Sequence, residues 1–433
     1  MKLIFSIYFL IVSMQVFAFT VNNPVPIGWA SVNANGQNGT TGGEGGTEVI
    51  VTNMDELIMY CNMTAPYIIQ VQGIITITPK GRHVAVKSNK TIIGISPGSG
   101  VFQGGFSVGS NQKNIIFNNL IISDTYVEGD WDGKEQDWDG IQVKGTCSHI
   151  WIHKCTFLRQ GDGALDITNG ASYITVSYCK FGQNNKASLI GSSDTDEHTD
   201  KYKVTMHHNW FNETTQRHPR VRFGMVHLFN NYYYKMGGYG REMGYANSNG
   251  YGVGVGVSAR IYSEQNYFEN VVYPVQFYDN AEKPGYLIDI GSYLVQSGSI
   301  LTKPAGLDWN PADYYNYTTD NAELVKDIVM ANAGADVAAT NISAGREIRK
   351  FSMVNYPNPF TESTTLSFVL PEAGNARITL FDITGRKLYE ISNLYHPAGN
   401  HEILLTRKGY NRGIYFVTLE FNGKKLIRKI IKQ

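Results

Sequence analysis

The chain has 433 residues, with 37 basic against 37 acidic side chains and no formal net charge. That length allows two or three domains and a sizeable core, and 42% hydrophobic with 12% aromatic residues excludes a disordered chain. The even charge lacks the basic excess of a nucleic-acid-binding protein, while a low charged fraction (17%) with 45 Gly and 27 Tyr suits an exported all-β protein.

The first segment reads as a processing signal. Lys2 supplies a positive start, Leu3 to Val16 is nearly all apolar, and Val16-Phe17-Ala18 ends in small residues. This predicts a signal peptide over 1–18, cleaved after Ala18. The alternative, an N-terminal membrane anchor, would need about 20 apolar residues, and this run is shorter. No other stretch could span a bilayer as a helix. Four Cys are too few for a disulfide scaffold at this length.

The middle of the chain repeats. Runs such as Ile115-Ile116-Phe117-Asn118-Asn119 and Trp151-Ile152-His153-Lys154-Cys155 align with Val176-Ser177-Tyr178-Cys179 and Met206-His207-His208-Asn209. His227-Leu228-Phe229-Asn230-Asn231 and Ser263-Glu264-Gln265-Asn266 continue the series. Equivalent positions are 119, 155, 179, 209, 231 and 266, at spacings of 36, 24, 30, 22 and 35. A minimum near 22 with irregular additions predicts a parallel β-helix, one coil per repeat, with the additions as loops. Stacked coils put like residues over like, so Asn119, Asn209, Asn231 and Asn266 should hydrogen-bond along the stack. Cys155 and Cys179 fall in the same slot on adjacent coils, as two buried thiols or as a disulfide. Cys61 and Cys147 have no evident partner.

The coils fill residues 19–336, closed by a helix over Asn321 to Ala333 with Leu324, Ile328 and Val329 at helical spacing. Residues 337–353 read as a linker. From 354 to 433 the pattern becomes strand alternation, as in Thr365 to Leu370, Ala376 to Phe381 and Gly413 to Leu419. Turn signals at Asp382 to Gly385 and Phe421 to Gly423 complete a small β-sandwich.

Four carboxylates stand out within the coils. Asp137 and Asp139 flank Trp138, and Asp162 and Asp166 come one coil later. Leu165 and Ile167 should point inward and Asp166 outward. Carboxylates from neighbouring coils would form an oxygen-rich pocket suited to Ca²⁺, or merely a solvated polar face. A cationic set follows: Lys186 on the next coil, then Arg217-His218-Pro219-Arg220-Val221-Arg222. With Val221 and Phe223 inward, Arg220 and Arg222 face outward. Cations beside such a pocket suit a polyanion bearing carboxylates, against the alternative of ordinary surface charge. The acidic loop Asp194 to Asp200 is a solvated loop or holds weak extra calcium sites. The Gly/Tyr-rich segment Met236 to Gly256 is a substrate-facing platform or a plain loop.

Residues 25 to 336 resemble the calcium-dependent pectate lyases of polysaccharide lyase family one. Asp139-Gly140-Ile141, Asp162-Gly163-Ala164-Leu165-Asp166, Leu189 to Asp194, Arg217-x-Pro219-x-x-Arg222 and Glu264 to Asn270 carry the likeness. One departure is His153-Lys154, where the family usually has Asp-His after Trp-Ile. The resemblance implies that Asp137, Asp139, Asp162 and Asp166 bind Ca²⁺, which bridges to a galacturonate carboxylate and acidifies the C5 proton. It implies that Arg217 is the base, with Lys186 and Arg222 assisting, and an alkaline optimum follows. The product would be a 4,5-unsaturated oligogalacturonate from polygalacturonate. Alternatives are a pectin lyase acting on methylated pectin, or a non-catalytic surface β-helix that binds acidic glycans.

Residues 354–433 resemble type IX secretion sorting domains. The resemblance rests on Tyr356-Pro357-Asn358-Pro359-Phe360, Leu380 to Arg386, Gly413-Ile414-Tyr415 and the basic end Lys424 to Lys429. It implies the secretion machinery of a Bacteroidetes-type Gram-negative bacterium as partner, and a secreted or surface location. A carbohydrate-binding sandwich is the alternative. The protein is expected to act as a monomer, with no nucleic-acid partner and no membrane span. The zero net charge is a sum of opposites: residues 19–353 carry −6 and residues 354–433 carry +5.

Overall fold

A computed structural model describes residues 25–196, 198, 201–245, 250–335, 352–356, 358–370, 374–396, 399–406 and 411–433. The signal peptide assigned to 1–18 and nearly all of the linker assigned to 337–353 lie outside those residues. The chain winds through three parallel sheets of 10, 9 and 8 strands. We number them I, II and III in the order a coil visits them. One coil runs Ser148–His153 in sheet I, Thr156–Leu158 in sheet II and Gly163–Thr168 in sheet III. The next runs Ser172–Ser177, Lys180–Gly182 and Lys186–Ile190. The fold is the parallel β-helix that the repeat predicts.

The interior follows from alternation. Ile115, Ile150, Ile174, Val204, Val226 and Ile261 stack in register on sheet I and are wholly buried. Rings pile up the same way: Phe157 on Phe181 at 4.9 Å, Phe181 on Phe211 at 5.0 Å, Phe211 on Tyr233 at 5.1 Å and Tyr233 on Phe268 at 4.4 Å. Each pair is offset-parallel, a geometry that adds about 0.5–1.5 kcal/mol to the burial of its area. Helix Met54–Asn62, capped by Asn53, packs Leu57 and Cys61 into the core beside the first coils.

The turn from sheet I to sheet II corrects the repeat alignment. His153 pairs with Asn118, so Cys155 lies over Leu120 and the first spacing is 35, not 36. Asn119 sits one position earlier, in the bend itself. There Asn119, Lys154, Tyr178, His208, Asn230 and Gln265 all adopt left-handed backbone, with φ between 50° and 55°. The bend is made by one residue whose side chain the geometry does not dictate, which is why the sequence motif slipped. The ladder proper is Asn209, Asn231 and Asn266, all fully buried. Asn231 Oδ1 accepts from Asn209 N (3.0 Å) and Nδ2 (2.9 Å), while its own Nδ2 donates to Asn266 Oδ1 (3.0 Å) and Met206 O (2.8 Å). Asn209 Oδ1 in turn accepts from Cys179 N at 2.9 Å. Cys155 and Cys179 are buried free thiols at the head of this ladder, as are Cys61 and Cys147 elsewhere.

The closing helix spans Ala322–Asn332 with Asn321 as its cap. Its buried face is Ala322, Val325 and Val329, whereas Leu324 is exposed. Of the expected trio, Val329 is on the buried face and Ile328 is half-buried; only Leu324 is misplaced, one residue from Val325, which is buried in its stead. Residues 352–433 form two antiparallel sheets of three and four strands. Leu366, Phe368 and Leu370 from the first sheet and Ile378, Leu380, Val417 and Leu419 from the second share one core. Strand Ser352–Tyr356 begins before residue 354, inside the segment read as linker.

The ladder carries a stability prediction. Asn231→Ala leaves the buried Asn209 and Asn266 amides short of partners, so unfolding free energy should fall by about 3 kcal/mol. Thermal or denaturant unfolding measures it, and a loss below about 1 kcal/mol would mean the ladder is not a stabilising unit.

Candidate active site

The outer face of sheet III and the turns leading into it gather the predicted polar residues. The loop before strand Ile141–Lys144 is tied to the next coil through its backbone. Trp138 O accepts from Thr125 Oγ1 (2.8 Å), Gly161 N (3.1 Å) and Asp162 N (3.3 Å). The Trp138 ring lies on Gly81, where a Cβ would stand 2.1 Å from the ring. That loop therefore holds Asp137 and Asp139 against Asp162. Each of these three carboxylates offers an oxygen within 4.8 Å of the others.

Asp139 is 2% exposed. Its Oδ1 accepts from Gly163 N at 2.7 Å and its Oδ2 from Gln142 Nε2 at 2.7 Å. The same Gln142 amide reaches Asp137 Oδ2 at 3.2 Å. Asp166 stands beside this trio, on the neighbouring strand, in register with Gln142 on one side and Leu189 on the other. Its Oδ1 accepts from Leu189 N at 3.3 Å. Gly163 is the residue that lets the carboxylates converge, since a Cβ there would meet Asp166 Oδ1 at 2.2 Å and Asp139 Oδ1 at 3.1 Å. Burial pushes Asp139 well above the ordinary carboxylate range, and Asp166, Asp162 and Asp137 push it further. Burial raises Asp166 to about 6, against the pull of Arg217.

Cations face these acids from later coils. Lys186 Nζ donates to the Asp162 carboxylate and to the Asp132 carbonyl. Arg217, at left-handed φ of 67°, places Nη1 3.8 Å from Asp166 Oδ2. Arg222 points to Asp194 and donates Nη1–H to Gly191 O at 3.1 Å. Val221 and Phe223 are buried in the core, as alternation requires. The seven predicted site residues thus fall into a carboxylate trio, Asp166 beside it, and three cations on two successive coils, Lys186 on one and Arg217 and Arg222 on the next.

Some site residues escaped the sequence reading. Gln142 was available from the coil offset, because it lies 24 residues before Asp166 as Asp139 does before Gly163. Asp194 and the Asp132 carbonyl had no such signal, being loop partners. The Gly/Tyr-rich segment divides: Tyr245 stacks on Trp131 at 4.9 Å and Tyr239 lies 5.9 Å from it, while Tyr251–Gly256 is a strand of sheet III. In the acidic loop, Asp194 pairs with Arg222 and the Asp196 carboxylate accepts from Tyr202 Oη. Glu197, Thr199 and Asp200 lie outside the described residues. His153, at the departure from the Asp-His pattern, is buried with Nδ1 2.9 Å from Ser177 Oγ.

Residues 10–338 match the family described as pectate lyase, and residues 354–433 match the secretion system C-terminal sorting domain. A pectate trisaccharide-lyase of Bacillus licheniformis is 34% identical over 324 residues, covering 71% of this chain and 85% of that protein. One from Thermotoga maritima is 45% identical over 215 residues, 49% of this chain. The chain spans just 58% of the Thermotoga relative's length. Among solved structures, the pectate lyase of Bacillus sp. N165 in complex with trigalacturonate superposes with a TM-score of 0.59 at 27% identity, covering 72% of this chain and 99% of that one. A pectate lyase bound to a hexasaccharide shares the fold, with a TM-score of 0.61 at 24% identity over 74% of this chain and all of that one.

The raised carboxyls set a pH signature. Asp166 keeps its proton more readily in the fold than in the unfolded chain, so its contribution to stability is full below about pH 4 and is lost as pH rises through about 6. With divalent cations chelated, Asp166→Asn should therefore gain on the parent protein over that window and level off above it. The ceiling is about 3 kcal/mol, and the buried histidines common to both proteins cancel. Unfolding of the pair across pH 4 to 8 reads the difference, and a pH-independent gap would refute it.

Proposed function

The chain belongs to the pectate lyase family, and from that premise we propose that it cleaves polygalacturonate by calcium-dependent β-elimination. The observation that carries the reading is the juxtaposition of the Asp137, Asp139 and Asp162 trio with Lys186 and Arg217 on one outer face. A buried Asp139 carboxyl whose pKa is raised by burial and by its acidic neighbours is a poor arrangement for an empty protein surface and a good one for a hard cation with oxygen ligands. Asp137, Asp139 and Asp162, with Asp166 alongside, would hold the calcium, whose positive charge would favour the negative charge that develops at C5.

The chain's own residues do the rest. Lys186 has three N–H donors, of which Asp162 and the Asp132 carbonyl take two, leaving one for the substrate carboxylate. Arg217, in its neutral form, takes the C5 proton. The electrons of the broken C5–H bond form the C4–C5 double bond as the C4–O bond breaks; the departing oxygen takes a proton from water to become a hydroxyl of the released chain, and Arg217 returns its proton to solvent. Asp166 holds Arg217 in reach of that proton, and Asp194 keeps Arg222 extended along the same face, where it orients the substrate. A base acts only in its deprotonated form, and an arginine side chain ordinarily deprotonates only above about pH 12, so the rate should climb from neutral into alkaline conditions.

The C-terminal residues 354–433 direct export. We read them as a type IX sorting domain of a Bacteroidetes-type bacterium, which places the enzyme outside the cell, where pectin is. Domain boundaries near 336 and 354 belong to the same proposal.

Absorbance of the unsaturated product on polygalacturonate, with and without a chelator, tests the activity. Product that forms regardless of chelation and favours methylated substrate would indicate a pectin lyase, and none from any pectin would leave a non-catalytic binder. Arg217→Lys should cost about a hundredfold or more in kcat with an unchanged circular dichroism spectrum. A flat rate profile from neutral to strongly alkaline pH would remove Arg217 from the base role.

A further inference from the structure

Arg220 is the one cation of the Arg217–Arg222 segment that the preceding mechanism does not use. Lys186, Arg217 and Arg222 each face a carboxylate: Asp162, Asp166 and Asp194. Arg220 has no carboxylate partner among the described residues, and its Nε is buried without a hydrogen-bond partner. Arg222 and Arg217 both act on it as like charges, and burial and that repulsion together lower its pKa. A half-buried guanidinium whose Nε has neither water nor a counter-ion is well placed to take an anion from outside.

The surroundings hold this guanidinium in place. Its carbon lies 4.5 Å from the centre of the Tyr278 ring. Tyr278 is itself fixed, packing on Tyr251 at 5.2 Å and donating its hydroxyl to Gln276 Oε1 at 2.9 Å. Beneath runs strand Tyr251–Gly256, in which Val253 and Val255 point into the core, Gly254 and Gly256 fall on the outer side, and Gly252 faces inward, where a Cβ would meet the Phe268 ring at 3.2 Å. Arg220 pairs with Gly254 across the strands, and a Cβ at Gly254 would lie 3.3 Å from Arg220 Cγ and 3.0 Å from the Tyr251 ring. A Cβ at Gly256 would lie 2.9 Å from Arg222 Cγ. Gly254 and Gly256 leave the room that both arginine side chains occupy. This accounts for part of the Gly/Tyr-rich segment.

The register fixes where this seat lies. Asp166, Leu189, Arg220, Gly254 and Gln276 occupy one row across sheet III. Arg220 is two strands from Asp166, about 10 Å at the usual strand spacing. It is on the side away from the carboxylate trio. We propose that Arg220, stacked on Tyr278 above Gly254, is a substrate-binding residue that takes a second uronate carboxylate of the polyanion, distinct from the one at the elimination site. This inference rests on the proposed galacturonan substrate. A guanidinium fork reads a carboxylate in two parallel hydrogen bonds, which an ammonium cannot reproduce. Arg220 therefore selects for an unesterified neighbour on the chain being cut.

Steady-state kinetics on polygalacturonate and calorimetric titration of trigalacturonate, both with calcium present, test it. Arg220→Ala should raise KM about tenfold or more while kcat stays within about threefold, and should weaken trigalacturonate binding by a similar factor. Arg220→Lys should recover only part of that loss. Tyr278→Leu, which removes the ring but no charge, should shift KM in the same direction and by less, and serves if Arg220→Ala unfolds. Unchanged KM and unchanged binding in Arg220→Ala would overturn the assignment. So would a fall in kcat at constant KM, which would place Arg220 at the reacting centre. If the parent protein binds trigalacturonate without cleaving any pectin, the elimination reading fails and the binding arm still decides Arg220. If the parent protein does neither, both fall.

Discussion

Everything in the lyase portion depends on one repeat distance, the spacing of about 4.8 Å between hydrogen-bonded parallel strands. Stacking at that distance repeats each chemical choice from coil to coil. An apolar residue becomes a column, as with Ile150, Ile174, Val204 and Val226. A ring becomes a pile, as with Phe157 to Phe268. An asparagine becomes a ladder in which every amide finds the next. The left-handed bend at Asn119, Lys154, Tyr178, His208, Asn230 and Gln265 costs strain at each coil, because none of these is glycine. The columns on either side of the bend are what offset it.

The same distance makes charge a problem on the outer face. A carboxylate over a carboxylate repels, and so does a cation over a cation. The molecule answers by pairing across coils: Lys186 to Asp162, Arg217 to Asp166, Arg222 to Asp194. The trio of Asp137, Asp139 and Asp162 keeps an excess of negative charge, and Arg220 keeps an excess of positive charge. The trio lies in the turns beside Asp166, and Arg220 stands two strands further along the row that Asp166 belongs to. A substrate that carries carboxylates at regular intervals, together with a divalent cation, relieves both imbalances. That complementarity is a property of placement, and no single residue in the row has it alone.

Legibility in the sequence followed the same physics. The β-helix was readable because coil stacking writes a repeat into the chain, even through irregular loops. The acidic and basic site residues were readable because outward positions on sheet III must alternate with inward apolar ones, as Leu165, Asp166 and Ile167 show. The slip at Asn119 arose where the repeat passes through a bend that accepts Asn, Lys, Tyr, His and Gln alike. On the closing helix, Val329 was placed correctly and Leu324 was not, since Leu324 and Val325 are adjacent and only packing chooses between them. Gln142 and Arg220 were in plain sight as outward residues. What the sequence did not carry was their partners: two carboxylates for one, and none for the other. Contacts made by loops, such as Asp132 to Lys186 and Asp194 to Arg222, leave no periodic trace at all.

The neutral total charge has the same resolution. Residues 19–353 are net −6, so the body as a whole repels a polyanion, and long-range attraction cannot bring the substrate in. Recognition has to act at contact, where salt screens it less and where geometry decides which carboxylate is taken. On the proposed reading, the carboxylate trio beside Asp166 and the guanidinium of Arg220 two strands further on would together read the spacing of charges along a chain. A uniformly basic groove would hold any polyanion, whereas this arrangement rewards only one whose carboxylates arrive in register with the coils.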